Sequence, residues 1–240
     1  MGNVTTYGYS DAGGRPENED HGGIFVTSKN LIAVVADGLG GQGEGGAASA
    51  LALEVLSKCG AEGGLPGRET LETYFDQANR AILQRQENQT HMKTTAVYLC
   101  ICEGNAVWAH IGDSRLYHFY QNRLCDFTLD HSVSQVAVYL GEIQRKDIPR
   151  HEGRSRLLRA LGCEEIAPEI REPIRLETGR HAFLLCSDGF WEYLGDEEME
   201  KALARAKTAE QWVDSLRKKA GKRFCQGNDN NTAMAVILEV

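Results

Sequence analysis

The sequence predicts a single antiparallel α+β domain. Its 240 residues are 42% hydrophobic and 25% charged, which is enough apolar material for one large core without disulfide support. Short runs of β-branched and aromatic residues recur between tight-turn residues, and amphipathic helical stretches come in pairs. No repeat or low-complexity linker interrupts the chain. We therefore expect one domain over residues 1–240.

The N-terminal part contains three predicted strands followed by two predicted helices. The strands cover residues 4–9, 23–27 and 31–36, and each is bounded by Gly, Asp or Asn. Apolar residues at helical spacing then predict helices over residues 45–58 and 71–82. The first strand alternates polar and apolar residues, which is typical of a strand at the edge of a sheet.

The central part has the pattern of an antiparallel meander. Strand-like runs cover residues 95–102, 106–111, 115–120 and 123–127, and turn-forming residues separate them. These features predict four strands that pair in order within one sheet.

A surface insertion and a C-terminal group of elements complete the prediction. Residues 141–159 have weak periodicity and carry six Lys or Arg against three Asp or Glu, so we expect a flap-like insertion. This basic bias fits either attraction of acidic phosphoproteins or a solvated loop with scattered charges. A strand over residues 181–186, helices over 196–206 and 210–222, and a strand over 232–240 follow.

Charge and cysteine usage exclude several classes of function. The formal net charge is −8, and an acidic surface disfavours nucleic acid as a partner. No apolar run approaches a membrane span, and the first twenty residues have no signal-peptide core. The 7 cysteines form no C-x-x-C pair, so we expect a reducing, cytoplasmic location. The first six residues also match a myristoylation pattern, an alternative that stays open.

Four apolar strands meet an Asp at a turn. The junctions are Asp37-Gly38, Asp113-Ser114, Asp188-Gly189 and Asp229-Asn230. A single such junction is explained by the turn preference of Asp and Gly. Four carboxylates on one rim, however, repel one another unless cations neutralise them. Oxygen ligands favour Mg²⁺ or Mn²⁺, and the 7 scattered histidines show no H-x-x-x-H spacing.

A pair of such ions suits phosphoryl chemistry. Two bridged divalent ions generate a hydroxide nucleophile and stabilise an in-line phosphoryl displacement. Arg15 lies beside two further carboxylates, Glu19 and Asp20. Its guanidinium is able to hold two phosphate oxygens at once, although a solvated turn residue is the alternative.

Seven motifs in a fixed order extend this pattern over nearly the whole chain. They are Arg15-x-x-Asn18-Glu19-Asp20, Val35-Ala36-Asp37-Gly38-Leu39-Gly40-Gly41, Thr94-Thr95-Ala96, Gly112-Asp113-Ser114-Arg115, Asp130-His131-Ser132, Ser187-Asp188-Gly189 and Asp229-Asn230-x-Thr232. Together they resemble the type-2C, metal-dependent (PPM) protein serine/threonine phosphatases, and most of all the compact bacterial members. The resemblance implies an antiparallel β-sandwich of two sheets flanked by helix pairs, with a metal site at one edge.

The resemblance also implies a role for each site residue. Asp37 would bridge two Mn²⁺ or Mg²⁺ ions, with a hydroxide between them attacking phosphoserine or phosphothreonine directly. The Gly38 carbonyl would bind the second ion, while Asp188 and Asp229 would hold the first. Asp113 with Asp188 would suit a third ion, and Asp20 and Glu19 would hold metal-bound water. Arg15 would bind the substrate phosphate, and residues 141–159 fall where the family has its flap.

Two positions depart from the family pattern. Leu39 stands where many eukaryotic members have a histidine proposed as general acid, so no side chain is identified for that role. Asn231 occupies a position that is usually apolar, where we expect an effect on packing rather than on the metals.

Rival functions can be separated by sequence features. Residues 38–43 satisfy G-x-G-x-x-G after a strand, which predicts a dinucleotide-binding protein. Two features count against it: Asp37 would face the pyrophosphate, and the helix is not followed by a second strand ending in an acid that could hold the ribose. A catalytically silent phosphatase-like binding module would usually lack Asp37, Asp188 or Asp229, all of which are present. The expected partners are phosphoserine and phosphothreonine proteins, including a cognate kinase or its substrates, and the expected state is a monomer.

Overall fold

Two antiparallel sheets form the centre of the protein. The computed structural model describes residues 3–40, 44–60, 63–86 and 91–240. The first sheet has the order β1 (Val4–Asp11), β12 (Asn231–Glu239), β11 (Arg180–Cys186), β7 (Arg115–Tyr120) and β8 (Arg123–Phe127). The second has the order β10 (Ile174–Arg175), β6 (Asn105–Ile111), β5 (Ala96–Cys102), β3 (Asn30–Leu39) and β2 (Asp20–Val26). The two-residue strands β4 (Lys93–Thr94) and β9 (Glu169–Ile170) pair with β3 and β6.

Helices cover the outer faces of both sheets. The long helices α1 (Glu44–Cys59) and α2 (Arg68–Arg85) pack on the second sheet, and α5 (Asp196–Leu203) and α6 (Ala209–Gly221) pack on the first. Two short helices, α3 (Val133–Tyr139) and α4 (Asp188–Trp191), lie in connections between strands. The predicted α+β class and the four-layer sandwich are confirmed.

Alternation along the strands explains why three cores form. On β3, residues 31, 33 and 35 face the other sheet, whereas residues 32, 34 and 36 face α1 and α2. Successive side chains of a strand point to opposite faces, so a strand apolar at every position requires cover on both sides. The same alternation on β11 and β12 separates the central core from the core beneath α5 and α6.

The predicted central meander is wrong at its midpoint. β5 pairs with β6 and β7 pairs with β8, but β6 and β7 belong to different sheets. Gly112, with φ of 98°, and Asp113 carry the chain across the sandwich. Turn residues indicate that a strand ends without specifying which sheet receives the next strand. As a result, Asp113 is placed at the edge between the two sheets.

The segment at residues 141–159 also differs from the irregular insertion that weak periodicity predicts. It contains a 3₁₀ helix over Arg145–Arg150. Backbone hydrogen bonds join Val133 to Arg156 and Leu158 to His131, so the segment returns along the start of α3. We refer to residues 141–159 as the flap. The organisation as one domain with a flap stays a prediction.

Candidate metal centre

The strand ends of both sheets bring the predicted carboxylates to one cavity. Asp20 begins β2 and lies opposite Asp37 of β3 in the antiparallel register. Asp188 follows the end of β11, and Asp229 precedes the neighbouring strand β12. The cavity has a volume of 530 Å³ and includes among its lining residues Arg15, Glu19, Asp37, Gly38, Asp113, Asp188 and Asp229. Of the predicted site residues, Asp20 alone lies behind the wall rather than on it.

Asp37 is fixed through its backbone by Thr94, which ends β4, and by Thr95, which follows it. Its N–H donates to the Thr95 Oγ1 at 3.0 Å, and the Thr94 hydroxyl donates to its carbonyl oxygen at 2.8 Å. Thr95 also shares a 2.7 Å hydrogen bond with Ser114, next to Asp113. This chain of hydroxyl groups leaves the Asp37 carboxylate for the cavity and links it to the crossing that carries Asp113.

Gly38 allows helix α1 to approach the site closely. A Cβ at this position would lie 2.4 Å from the Gly45 backbone, so no larger residue fits without moving the start of α1. The glycine therefore keeps the backbone beside Asp37 within the cavity wall.

Asp20 and Glu19 have different environments. The Ser187 hydroxyl donates to Asp20 Oδ2 at 2.7 Å, whereas Oδ1 has no hydrogen-bond partner among the residues that the structure describes. Burial raises the pKa of the Asp20 carboxyl to about 7. Glu19 lines the cavity, and its backbone N–H donates to the Asn230 side chain at 2.8 Å. The geometry thus favours Glu19 over Asp20 as the residue that faces the cavity directly.

The carboxylates raise one another's pKa. For Asp37, Asp113 and Asp188, burial is the first cause and the charges of neighbouring aspartates add to it, so each pKa lies above its usual range. A buried cluster of this kind is costly unless cations compensate the charge. Every candidate ligand is an oxygen atom, which fits Mg²⁺ or Mn²⁺. The residues present therefore fit the divalent ions that the sequence predicts.

Arg15 lies at the mouth of the same cavity. Its guanidinium is 3.0 Å from the Asp229 carboxylate, and about half of each side chain is exposed. An exposed pair of this kind contributes little to stability. The guanidinium is therefore able to exchange this partner for an entering phosphate at low cost.

Two of the scattered histidines meet beside the Asp113 crossing. The rings of His110 and His131 stack with centroids 4.6 Å apart, and Glu169 completes a set of three potential ligands within 4.8 Å. However, the Gly112 N–H donates to His131 Nδ1 at 3.1 Å, so a neutral His131 carries its proton on Nε2, toward Glu169. His110 Nε2 lies 2.7 Å from the Leu129 carbonyl and donates to it. The arrangement supports the Gly112–Asp113 turn and does not present two free nitrogens to a metal.

Other residues position the site through hydrogen bonds, and the sequence patterns assigned them no role. The Ser187 hydroxyl accepts from Thr232 N–H while it donates to Asp20, and Asn230 donates to the carbonyls of Ala12 and Glu17. The Trp191 indole donates to the Asp113 carbonyl at 3.0 Å. Ser187 and Asn230 lie within the sequence motifs, and this was the only feature of the sequence that could have indicated their roles.

Two departures from the family pattern can be located. Leu39 lines the cavity and supplies no proton there. Asn231 is fully buried, and its side chain accepts from the Tyr9 hydroxyl at 2.8 Å across β1 and β12. This contact joins two neighbouring strands, which fits the expectation that Asn231 affects packing rather than the metals. Residues 41–43 of the glycine-rich stretch, and residues 1–2 of the six-residue myristoylation pattern, lie outside the described residues.

A family model and curated relatives indicate the same protein family. The family model described as Protein phosphatase 2C matches residues 8–224. The serine/threonine phosphatase stp of Listeria monocytogenes is 33% identical over 231 residues, which cover 92% of this chain and 90% of that protein. The serine/threonine protein phosphatase PstP of Mycobacterium tuberculosis is 29% identical over 82% of this chain and 38% of its own length.

Solved structures agree in fold over almost the full length. The Mycobacterium tuberculosis phosphatase PstP/Ppp superposes with a TM-score of 0.85 at 28% identity, covering 99% of both chains. The catalytic domain of PstP in complex with two manganese ions has a TM-score of 0.83 at 27% identity, covering 98% of this chain and 99% of that one.

Proposed function

This chain belongs to the protein phosphatase 2C family, and from that membership we propose that it hydrolyses phosphoserine and phosphothreonine monoesters in proteins, using Mn²⁺ or Mg²⁺. The observation that carries the proposal is the cavity in which Asp37, Asp188 and Asp229 converge with Arg15 at its mouth. No helix in the described part of the chain is long and apolar enough to cross a membrane.

The cavity residues divide into ion-binding and phosphate-binding groups. Asp37 would be shared by two ions, Asp188 and Asp229 would complete the first, and the Gly38 carbonyl would contribute to the second. Asp113 with Asp188 would suit a third, weaker ion. Glu19 would hold water at the cavity wall in preference to Asp20, because Asp20 does not line the cavity. The bound ions would supply hydroxide near neutral pH and stabilise negative charge on the transferring phosphoryl group.

Arg15 would orient the phosphate. A guanidinium donates two parallel hydrogen bonds to phosphate oxygens, which fixes the phosphorus relative to the attacking oxygen. Its present partner, Asp229, is itself a proposed ligand. Cation binding at Asp229 would weaken this pairing and release Arg15 toward substrate.

The cellular setting proposed for the protein follows from this chemistry. Phosphoproteins are the substrates, a cognate kinase or its targets are among the partners, and the protein acts as a monomer in the cytoplasm. The G-x-G-x-x-G rival gains no support, because Asp37 lies beside Gly38 on the cavity wall, where it would repel a pyrophosphate.

Metal dependence tests the proposal. We expect hydrolysis of p-nitrophenyl phosphate and of phosphothreonine peptides with Mn²⁺ or Mg²⁺, and loss of hydrolysis after treatment with EDTA and gel filtration. Restoration by added Mn²⁺, but not by Ca²⁺ at equal ionic strength, controls for denaturation. Undiminished turnover of the metal-free protein would refute the proposal.

A further inference from the structure

A second, larger cavity lies between the flap and the chain that follows α4. It has a volume of 1020 Å³, with the flap on one side and residues 191–196 on the other. Six cationic side chains line it, namely Arg115, Arg145, Lys146, Arg150, Arg154 and Arg223, against the two carboxylates of Glu192 and Asp196. We call this cavity the basic groove. Its charge is opposite to the net charge of −8 of the whole protein.

Four of the six cations already have carboxylate partners. The ion pairs are Arg115–Asp130, Arg145–Asp196, Arg154–Glu192 and Arg223–Glu198. Lys146 and Arg150 pair with no carboxylate within the described ranges, and both are exposed. The groove therefore carries two uncompensated positive charges, both from the 3₁₀ helix of the flap.

The paired arginines hold the groove in shape. Arg145 lies 2.5 Å from Asp196 and stacks over the Phe127 ring at 3.6 Å, and Arg154 lies 2.8 Å from Glu192. On the floor, the guanidinium of Arg115 lies 3.4 Å above the Trp191 ring. These contacts connect the flap to the helical side, so a ligand would enter a groove whose walls already exist.

The groove adjoins the metal cavity. Glu192 lines the groove and lies one helical turn after Asp188, with its N–H donating to the Asp188 carbonyl at 3.0 Å. On the flap side, Arg154 lines the groove and the next residue, Ser155, lines the metal cavity. One turn of helix spans about 5.4 Å and an extended chain advances about 3.3–3.6 Å per residue. A polypeptide with its phosphate at Asp37 would therefore place its next few residues in the groove.

We propose that the basic groove binds an acidic segment of the phosphoprotein substrate, about two to five residues from the phosphorylated residue, through Lys146 and Arg150. This inference rests on the proposed phosphatase function and adds a substrate class to it. A polypeptide is favoured over a nucleic acid because the groove offers only two cations without a carboxylate partner in the described part of the chain, and the net charge of the protein is −8.

Charge reversal on the flap provides the test. The double variant K146E/R150E is compared with wild type on three phosphothreonine peptides whose flanks, on either side, are acidic, neutral or basic. We expect wild type to favour the acidic peptide through a lower KM at similar kcat. In the variant, KM for the acidic peptide should rise on the order of tenfold, and KM for the basic peptide should fall. Each exposed ion pair contributes little, but two charges change sign.

A matched control is available at the far end of the sandwich. Arg205 and Lys207 are exposed and line a different cavity beside the end of β12. The variant R205E/K207E has the same change in net charge. We expect it to rank the three peptides by KM in the same order as wild type. Hydrolysis of p-nitrophenyl phosphate should be unchanged in both variants, since that substrate does not reach the groove.

The outcomes separate this inference from the phosphatase proposal. Loss of metal-dependent turnover on every substrate in wild type would overturn both. Normal turnover with equal KM for the three peptides, or an equal loss on all peptides in K146E/R150E, would overturn the groove assignment alone. Competition by single-stranded RNA as strong as by an acidic peptide of equal charge would also contradict it.

Discussion

The energetics of the site are set by individual aspartates. Asp37 lies close enough to Asp20, Asp188 and Asp113 for each of their charges to raise its pKa. Folding brings these like charges together, which destabilises the metal-free protein. Thr95 and Ser187 partly offset this cost, because their hydroxyls satisfy the Asp37 backbone and one oxygen of Asp20.

Replacing the carboxylate that is proposed to be shared by both ions provides a test. Asp37→Asn should abolish turnover, a loss of at least a hundredfold in kcat, because the shared ligand of the proposed ions is removed. The metal-free variant should unfold at the same or a higher temperature than wild type, since one buried charge is gone. Phosphatase assays and thermal unfolding with EDTA measure the two effects.

An exposed ion pair in the middle of α2 supplies a control for that variant. Asp76→Asn breaks an exposed i,i+4 pair with Arg80 and removes the same charge far from the cavity. It should alter neither activity nor unfolding temperature appreciably. Near-normal rates for Asp37→Asn would show that the site is assigned wrongly.

At the residue scale, the sequence predicts the carboxylates better than the groups that hold them. Asp37, Asp113, Asp188 and Asp229 are recognisable because each ends or precedes an apolar strand. The contacts of Ser187 with Asp20 and of Asn230 with Glu19 join residues more than 160 positions apart. No local pattern encodes such contacts, so only the folded structure assigns them.

At the scale of the elements, the long strands and helices follow from periodicity, whereas their partners do not. The predicted strand over residues 115–120 is observed, yet it joins the sheet opposite β6. The two-residue strands β9 and β10 and the four-residue helix α4 are too short to show a period. Their positions result from tertiary contacts.

A buried histidine chain links β7, β8 and β11 and makes these strands sensitive to acid. His181 Nε2 donates to the Glu177 carbonyl at 2.9 Å, so His181 Nδ1 accepts from His118 Nε2 at 3.0 Å. His118 Nδ1 is then left as an acceptor 3.4 Å from the Cys125 sulfur, whose thiol also lies 3.2 Å from the His118 carbonyl. Every nitrogen is used with both rings neutral. Burial, with His181 nearby, lowers the pKa of His118 to about 4.

The depressed pKa predicts a loss of stability in acid. Between about pH 6.5 and pH 4 the unfolded chain binds a proton at His118 and the folded protein does not, so the free energy of unfolding decreases as the pH falls. His118 makes the free energy of unfolding above pH 6.5 larger than that below pH 4 by on the order of 3 kcal/mol. Urea unfolding at pH 8, 6 and 4.5 measures it.

Substitution isolates this contribution from that of the carboxylates. His118→Gln should flatten the decrease in stability between pH 6.5 and 4.5, whereas the exposed His91→Gln should leave it as in wild type. An identical pH dependence in wild type and His118→Gln would show that the histidine chain does not titrate as argued.

At the scale of the whole molecule, the sandwich brings together groups that are distant in sequence. Two sheets end at one edge, the crossing at Gly112–Asp113 closes that edge, and the flap extends it into the basic groove. The motif order predicts this architecture through the family resemblance. Ion pairs such as Arg154–Glu192 join the flap to the helical side of the groove, and composition alone does not reveal them.

The most direct measurement is an anomalous difference map from a crystal soaked in MnCl₂, recorded at the manganese absorption edge. We expect two peaks in the cavity, both in contact with Asp37, one also with Asp188 and Asp229 and the other also with the Gly38 carbonyl. Crystals of Asp37→Asn should lose at least one peak. An empty cavity, or density only at His110, His131 and Glu169, would contradict the account.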